Sequence, residues 1–261
     1  MATLFYYRGN YEPPAANKPA VEDIIVQFAP SRGFDEVLPS REGFLLVDDA
    51  HFNDFEEQEI NILLARVADM GFTIEILNNR ENLAPKLEDA DSFLVIIPRR
   101  RFDSDEAAIV ADFVSEGGKL LLIGDPGRTG NINSLARVFG ILFQPGYLYN
   151  VAEHDLNFKN IFVRDFRPDG VTQGLRQVVL YNSGPVRSSG LQLALTDSNT
   201  FSSQVERTEP FSPIVKSSNQ RVLAISDLTF MISPNNAAWD NERLIANLAD
   251  YLTQSERLLF D

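Results

Sequence analysis

Acidic and histidine side chains follow the first apolar run of the sequence. The run at 44–47 (FLLV) leads into Asp48 and Asp49, with His51 and Asn53 in the same segment. Two adjacent carboxylates suit a divalent cation, but one of them can instead cap a turn or the next helix. His51 could act as a general base only with a nucleophile in hydrogen-bond reach. Otherwise it bonds a backbone carbonyl, and the sequence favours the structural role for these residues.

Three consecutive arginines follow a second apolar run. Arg99, Arg100 and Arg101 come directly after the run at 93–97 and form a cationic stretch in an acidic chain. Guanidinium groups bind carboxylates and phosphates and stack on rings. These arginines could therefore face a pocket together with Arg128, and they could also pair with acids such as Asp48, Asp49, Asp103 or Asp125.

A glycine-rich segment follows the third apolar run. The run at 120–123 leads into Asp125 and a segment that ends at Gly130. This segment lacks the Lys-Ser/Thr ending of a P-loop and the spacing of a dinucleotide fingerprint. It therefore predicts a tight turn after a buried strand. Asp227 stands at the end of a further apolar run, at 221–226.

Short apolar runs separated by amphipathic segments are typical of parallel strands covered by helices on both faces. We therefore predict an α/β fold, a flavodoxin-like three-layer sandwich with a mostly parallel central sheet of at least five strands. The runs at 44–47, 93–97 and 120–123 should be its central strands. Ligands of such sheets bind outside the carboxyl ends of the strands. We expect one cleft there to contain Asp48, His51, Arg99, Asp125 and Asp227.

The chain divides into three predicted parts. Residues 1–42 contain five prolines and many apolar side chains, which predicts an extended arm packed on the domain. Residues 43–150 and 221–261 carry the α/β pattern, including a capping-box-like pair at Asp103 and Glu106. Residues 151–220 are rich in Ser, Asn, Gly and Pro, which predicts an antiparallel β insertion added to the sheet or lying over its rim.

Composition excludes several kinds of chemistry. The net charge of −14 at pH 7 makes nucleic acid a poor partner, because phosphate binding needs a basic face. The absence of cysteine excludes disulfides, thiolate metal ligands and a cysteine nucleophile. No stretch approaches the roughly 18 apolar residues of a transmembrane helix. We predict no cofactor and no resident metal.

The ordered motifs of the chain resemble the glutamine-amidotransferase-like superfamily. The motifs are VDDAHFN at 47–53, Ala90-Asp91, residues 102–106, GGKLLLIGD at 117–125, Ile225-Ser226-Asp227 and Asp240-Asn241. They are most similar to its non-catalytic branch, which includes gliding-motility, intraflagellar-transport and trehalose-utilisation-type proteins. Within that branch the chain looks closest to an uncharacterised group of bacterial membrane-linked domains. The resemblance covers residues 43–150 and 221–253.

The resemblance implies the class I glutamine-amidotransferase-like fold without its catalytic residues. Catalytic relatives place a cysteine nucleophile after the fourth strand, where this chain has Asp125. Their oxyanion glycines correspond to Pro98-Arg99-Arg100, and their histidine and glutamate to Ser226-Asp227-Leu228. The resemblance therefore implies that amidotransferase activity is lost and that the chain is not an enzyme.

Three functions remain open. The first is a non-catalytic module of a membrane-associated or transport-linked assembly, which binds an unknown small molecule, a carbohydrate, a peptide or a protein. Its candidate ligand-binding residues are Asp48, Asp49, His51, Asn53, Arg99, Arg100, Asp125, Arg128 and Asp227. The second is a hydrolase that uses Asp125 or a metal held by carboxylates. The third is a purely structural interaction domain whose contact surface is the β insertion.

The expected location also depends on the resemblance. We expect a membrane tether outside this segment. The expectation depends on the membrane-linked relatives, the proline-rich arm, the start at Met1-Ala2 and the end at Phe260-Asp261. We expect the domain itself to lie outside the cytoplasm.

Overall fold

In a computed structural model of the protein, the described residues are 42–255 and 257. The predicted arm at 1–42 therefore lies outside the described residues, apart from Glu42. The strands are, in chain order, β1 (Gly43–Asp48), β2 (Phe72–Leu77), β3 (Ser92–Ile96), β4 (Lys119–Ile123), β5 (Ile141–Phe143), β6 (Leu148–Tyr149), β7 (Asn160–Val163), β8 (Asp165–Phe166), β9 (Val178–Tyr181), β10 (Val186–Ser188), β11 (Leu191–Leu195), β12 (Phe201–Ser202), β13 (Val205–Thr208), β14 (Ile214–Lys216) and β15 (Val222–Ile225).

Five α-helices lie in this part of the chain. They are α1 (Glu57–Asp69), α2 (Leu83–Asp89), α3 (Ser104–Ser115), α4 (Asn133–Ala136) and α5 (Asn241–Leu252). Within residues 42–255, none of the helices has both the length and the apolar character needed to cross a bilayer.

The central sheet has eight strands in the order β2-β1-β3-β4-β15-β14-β11-β8. The first five are parallel to one another, and β14, β11 and β8 continue the sheet beyond β15, each antiparallel to its neighbour. Strands β1, β3 and β4, which contain the three long apolar runs, each lie between two parallel neighbours. The predicted α/β fold with a mostly parallel sheet and central strands at these runs is confirmed.

Helices cover both faces of the sheet. Successive side chains of a strand point to opposite faces, so each central strand contributes to two cores. Leu45 and Val47 pack with α1 and α5, whereas Leu46 packs with α2, α3 and α4. The result is the predicted three-layer sandwich, in which Asp48, two positions after Leu46, points toward the α3 face.

The segment at 151–220 forms antiparallel structure in two ways. Strands β8, β11 and β14 extend one edge of the central sheet. Others form small separate sheets, either with each other, as in β7-β9, or with β5 and β6 of the preceding segment, as in β5-β10 and β13-β12-β6. Addition to the sheet and packing beside it therefore both occur, and the division of the chain into three parts stays a prediction.

The predicted capping box begins α3. Asp103 Oδ1 accepts hydrogen bonds from the backbone N–H groups of Asp105 and Glu106, at 3.1 and 3.0 Å. Glu106 Oε2 accepts a bond from Asp103 N at 2.8 Å in return. This reciprocal arrangement satisfies N–H groups that a helix leaves unpaired at its start, and it also fixes the Glu106 carboxylate close to the end of β1.

Candidate functional site

A cavity of about 350 Å³ lies at the carboxyl ends of β3, β4 and β15. Its lining includes Ile97 after β3, Asp125 after β4 and Ser226 after β15, together with Arg128 and Phe143. Ile97 adopts a left-handed backbone with φ of 42°, which is strained for a β-branched residue. A cavity in this position is the usual ligand site of an open α/β sheet.

Asp125 is the buried carboxyl of this cavity. Its Oδ1 atom accepts a hydrogen bond from Gly127 N at 2.7 Å, and Thr229 Oγ1 lies 3.3 Å from Oδ2 as a donor. Burial raises the pKa of the Asp125 carboxyl, and the hydrogen bond from Gly127 opposes this shift only in part. The turn after β4 thus presents a carboxyl that holds a proton more readily than an exposed aspartate.

Asp227 lies beside it and is fully buried. Its carboxylate accepts bonds from the backbone N–H groups of Tyr181 at 2.5 Å and Thr229 at 2.7 Å. Burial, followed by the charge of Asp125, raises the pKa of Asp227 well above its usual value. Thr229 therefore bonds both carboxyls, and the charge of Asp125 disfavours ionisation of Asp227.

Arg128 lies at the rim of the cavity and is anchored to α1. Its guanidinium bonds both carboxylate oxygens of Glu59, with Nη1 at 2.9 Å from Oε2, and Nη1 also donates to the Asp54 carbonyl at 2.8 Å. Glu59 is additionally bonded by Glu56 N at the start of the helix. The hydrogen bond from Arg128 lowers the pKa of Glu59, so this rim remains an ion pair at neutral pH.

Asp48 and His51 form a separate buried cluster on the α3 side. His51 is fully buried, its Nδ1 lies 2.9 and 3.0 Å from the two Asp48 carboxylate oxygens, and its Nε2 lies 3.5 Å from Glu106 Oε2. Its ring stacks on Phe102 with centroids 3.6 Å apart. Arg80 bonds Glu106 in turn. None of these side chains contributes to the described lining of the Asp125 cavity.

The other predicted residues lie outside the cavity lining. Asp49 is exposed, and partial burial followed by the charge of Asp48 raises its pKa. Asn53 Nδ2 donates to the Ile96 carbonyl at 2.8 Å, while its Oδ1 is buried with no partner in the described structure. Arg99 is 60% exposed in its side chain and pairs with Asp54 at 2.7 Å. Arg100 is exposed.

The structure therefore brings Asp125, Arg128 and Asp227 together. The other six candidates lie in the buried His51 cluster or in the surrounding loops, and contact of any of the nine with a ligand stays a prediction. Within the described segment, no group of three or more His, Cys, Asp or Glu side chains is arranged to hold a metal ion.

The sequence did not identify several residues that contact the site carboxyls or His51 as candidate site residues. Glu106 and Glu59 carried a signal, because acids in the first turn of a helix project beside the preceding strand ends. Thr229 and Tyr181 carried none. Tyr181 lies on a short strand that reaches Asp227 only through the tertiary fold.

No protein-family model matches the sequence, and a search of curated proteins found no similar chain. Several solved structures share the fold. The N-terminal domain of mmIFT52 is 16% identical with a TM-score of 0.64, covering 82% of this chain and 100% of that domain. A thua-like protein from Bacteroides uniformis is 10% identical with a TM-score of 0.53, covering 87% of this chain and 97% of that one.

A cytoplasmic protein from Salmonella typhimurium is also similar, at 14% identity and a TM-score of 0.51, covering 80% of this chain and 98% of that one. At these identities, the similarity defines the fold alone. The chain therefore shares the α/β fold of these structures, and its candidate site lies at the carboxyl ends of the strands, where open α/β sheets bind ligands.

Proposed function

We propose that this chain is a non-catalytic binding module that holds a small hydroxylated ligand, of carbohydrate type, in the cavity at Asp125. One observation carries the proposal. The turn after β4, which holds the nucleophile in catalytic relatives, instead places a nearly buried carboxyl of raised pKa in a cavity of about 350 Å³. A carboxyl that titrates closer to neutrality can both donate to and accept from ligand hydroxyl groups.

The size and the lining of the cavity support a sugar-sized ligand. Ligand cavities range from about 300 to 1,000 Å³, so this one suits a small molecule. The Phe143 ring provides an apolar wall, and Asn133 fixes this residue by bonding its carbonyl at 2.8 Å and its N–H at 2.9 Å. Gly124 leaves room for the ring, since a Cβ there would lie 2.7 Å from it.

The chemistry of the residues around Asp125 supports the non-catalytic half of the proposal. A carboxylate nucleophile needs an acid or base to complete a hydrolytic cycle. His51, the one histidine near the strand ends, is buried between Asp48 and Glu106 and stacked on Phe102. It therefore has no surface with which to serve a ligand in the Asp125 cavity.

We further propose that the module works within a membrane-associated or transport-linked assembly outside the cytoplasm, as the motif resemblance implies. The β insertion offers a surface for protein contact. Leu156 is 96% exposed, and Val151 and Phe158 are also exposed in the same loop region. Exposed apolar side chains grouped in this way are typical of protein contact sites.

The ligand proposal is tested by titrating monosaccharides, disaccharides and short peptides into the protein, with calorimetry and thermal shift as readouts. We expect saturable binding of a saccharide, weakened by Asp125→Ala and by Phe143→Ala. Asp112→Ala, at an exposed aspartate of α3, is the matched control and should leave binding unchanged. Preference for peptides, or equal loss of binding in the control, contradicts the carbohydrate proposal.

The non-catalytic and localisation proposals need separate measurements. A panel of hydrolase substrates, with and without divalent metal, should show no turnover. If turnover is found and Asp125→Asn abolishes it, the non-catalytic proposal is wrong and the hydrolase alternative is supported. Fractionation of cells that express the full natural protein should recover the chain with the membrane, and recovery in the cytosol contradicts the proposed location.

A further inference from the structure

A second cavity, of about 370 Å³, lies at the opposite end of the sheet from Asp125. It is bounded by the start of β4, the end of β14, the residue before β15 and one side of α5. The lining residues that matter here are Lys119, Lys216, Arg221, Asp250, Tyr251 and Gln254. The proposed carbohydrate site does not involve this end of the sheet, although Lys119 belongs to the GGKLLLIGD motif at 117–125.

The charge of this cavity is opposite to that of the whole protein. The chain has 37 acidic and 23 basic residues. Among the described residues, the lining nevertheless contains three cationic side chains, Lys119, Lys216 and Arg221, and one acid, Asp250. A concave site with a local excess of positive charge concentrates anions, even on a protein of negative net charge.

Lys216 is the most deeply buried cation of the cavity. It is 7% exposed, and its ammonium bonds both carboxylate oxygens of Asp169, at 2.7 and 2.8 Å. A buried ammonium is strongly unfavourable without such a partner. Asp169 therefore fixes the position of Lys216 before any ligand arrives. When Asp169 and Asp250 are counted against the three cations, one net positive charge remains at the site.

The aromatic ring of Tyr251 lies close to two lysine ammonium groups. Lys216 Nζ and Lys119 Nζ lie 5.2 and 5.7 Å from the centroid of its ring, within the range of cation–π attraction. The ring is fixed because the Tyr251 hydroxyl donates to the Arg221 carbonyl at 2.6 Å. Both ammonium groups therefore lie beside the same fixed ring.

Arg221 and neutral amides complete the lining. The guanidinium of Arg221 donates to the Ser115 carbonyl at 3.0 Å, which ties it to the end of α3. The side-chain amides of Gln173, Gln220 and Gln254 also line the cavity and can bond hydroxyl groups. The donors thus combine cations for an acidic group with amides for neutral polar groups.

We propose that this cavity binds a small organic anion that also carries hydroxyl groups. The acidic group, a phosphate or a carboxylate, lies between Lys119 and Lys216, and the hydroxyl groups face the glutamine amides. The volume suits a ligand the size of a phosphorylated polyol or a sugar acid. This site is independent of the carbohydrate proposal, because it shares no lining residue with the Asp125 cavity.

Calorimetric titration with glycerol phosphate, glucuronate, inorganic phosphate and neutral glycerol tests this proposal. We expect glycerol phosphate or glucuronate to bind, and the comparison of these two distinguishes phosphate from carboxylate recognition. Glycerol should not bind, and inorganic phosphate should bind more weakly than the hydroxylated anion. Added salt should weaken binding, because the attraction is between charges.

Matched variants locate the site. Lys119→Gln should lower the affinity by about tenfold, and Lys119→Arg should restore much of it. Lys86→Gln is the control, because it removes one positive charge at a lysine paired with Glu75 on the other face of the sheet. Asp125→Ala should also leave anion binding intact. The proposal is overturned if no anion binds saturably, or if glycerol binds as tightly as glycerol phosphate. It is also overturned if Lys119→Gln and Lys86→Gln weaken anion binding equally.

Discussion

Asn241 is fully buried at the start of α5, and its side-chain amide bonds three backbone groups. Its Oδ1 accepts from Val179 N at 2.9 Å, and its Nδ2 donates to the carbonyls of Val179 at 2.9 Å and Asn235 at 3.0 Å. These bonds tie β9 to α5, and β9 in turn presents the Tyr181 N–H to Asp227. We expect Asn241→Ala to destabilise the fold and to loosen the support of the candidate site.

The size of this effect follows from the three bonds. Asn241→Ala leaves the buried N–H and carbonyl of Val179 and the partly buried carbonyl of Asn235 without these partners. A hydrogen bond contributes about 0.5 to 1.5 kcal/mol net, and an orphaned buried group costs about 1 to 3 kcal/mol. We therefore expect the free energy of unfolding to fall by about 3 to 5 kcal/mol. In a domain of this size, each kcal/mol lowers Tm by about 2 to 4 °C.

Asn241→Asp adds a dependence on pH. It keeps an acceptor for Val179 N but sets a carboxylate oxygen against the carbonyls of Val179 and Asn235. Burial and these carbonyls raise the folded-state pKa of the new carboxyl above its unfolded value of about 3.9. Stability is therefore retained below about pH 4 and lost as the pH rises through the folded-state pKa.

Urea unfolding followed by circular dichroism, at several pH values between about 4 and 7, measures both effects. Asn78→Ala is the matched control, because Asn78 is exposed and its amide donates to the Ile76 carbonyl at 3.2 Å. The control should change stability by less than about 0.5 kcal/mol. A loss below about 1 kcal/mol in Asn241→Ala, or an Asn241→Asp variant that follows the wild type at every pH, would refute the reasoning.

Two further predictions concern packing and titration. Gly118→Ala places a Cβ 2.3 Å from the Phe113 ring and should lower the free energy of unfolding, measured by thermal unfolding, by about 1 to 3 kcal/mol. Gly170→Ala is the control and should be nearly neutral, because a Cβ there meets nothing within 4 Å. Equal effects of the two substitutions would contradict the packing argument. Asp125 has a raised folded-state pKa, so the wild type should lose stability as the pH rises above the unfolded value of about 3.9. Asp125→Asn removes this titration and lessens the repulsion of Asp227, so it should be more stable than the wild type at neutral pH but not near pH 3, and the opposite order would contradict the raised pKa.

The sequence by itself determined the α/β class, the central strands and the start of α3. Apolar runs such as 44–47 and 120–123 are stable only where both faces are buried, and that requirement leads to parallel strands between two helix layers. The capping box at Asp103 and Glu106 is local, because both partners lie within four residues. The lack of cysteine likewise excluded thiol chemistry without any structure.

Only the tertiary structure decided which charged groups meet. His51 could have faced a cleft, but the alternation of β1 places Asp48 on the α3 side, where His51 meets it and Glu106. The acids weighed from the sequence as partners for the arginines at 99–101 were Asp48, Asp49, Asp103 and Asp125, yet Arg99 pairs with Asp54.

The carboxyl pair at Asp125 and Asp227 and the cationic cavity at Lys119 and Lys216 depend on contacts between distant segments. Tyr181 reaches Asp227 across 46 positions, and Lys216 reaches Asp169 across 47. Local propensity and periodicity act over a few residues, whereas ion pairs and burial depend on distances that only the packed chain sets. For this reason the fold class could be read from the sequence, while the arrangement of its charged groups could not.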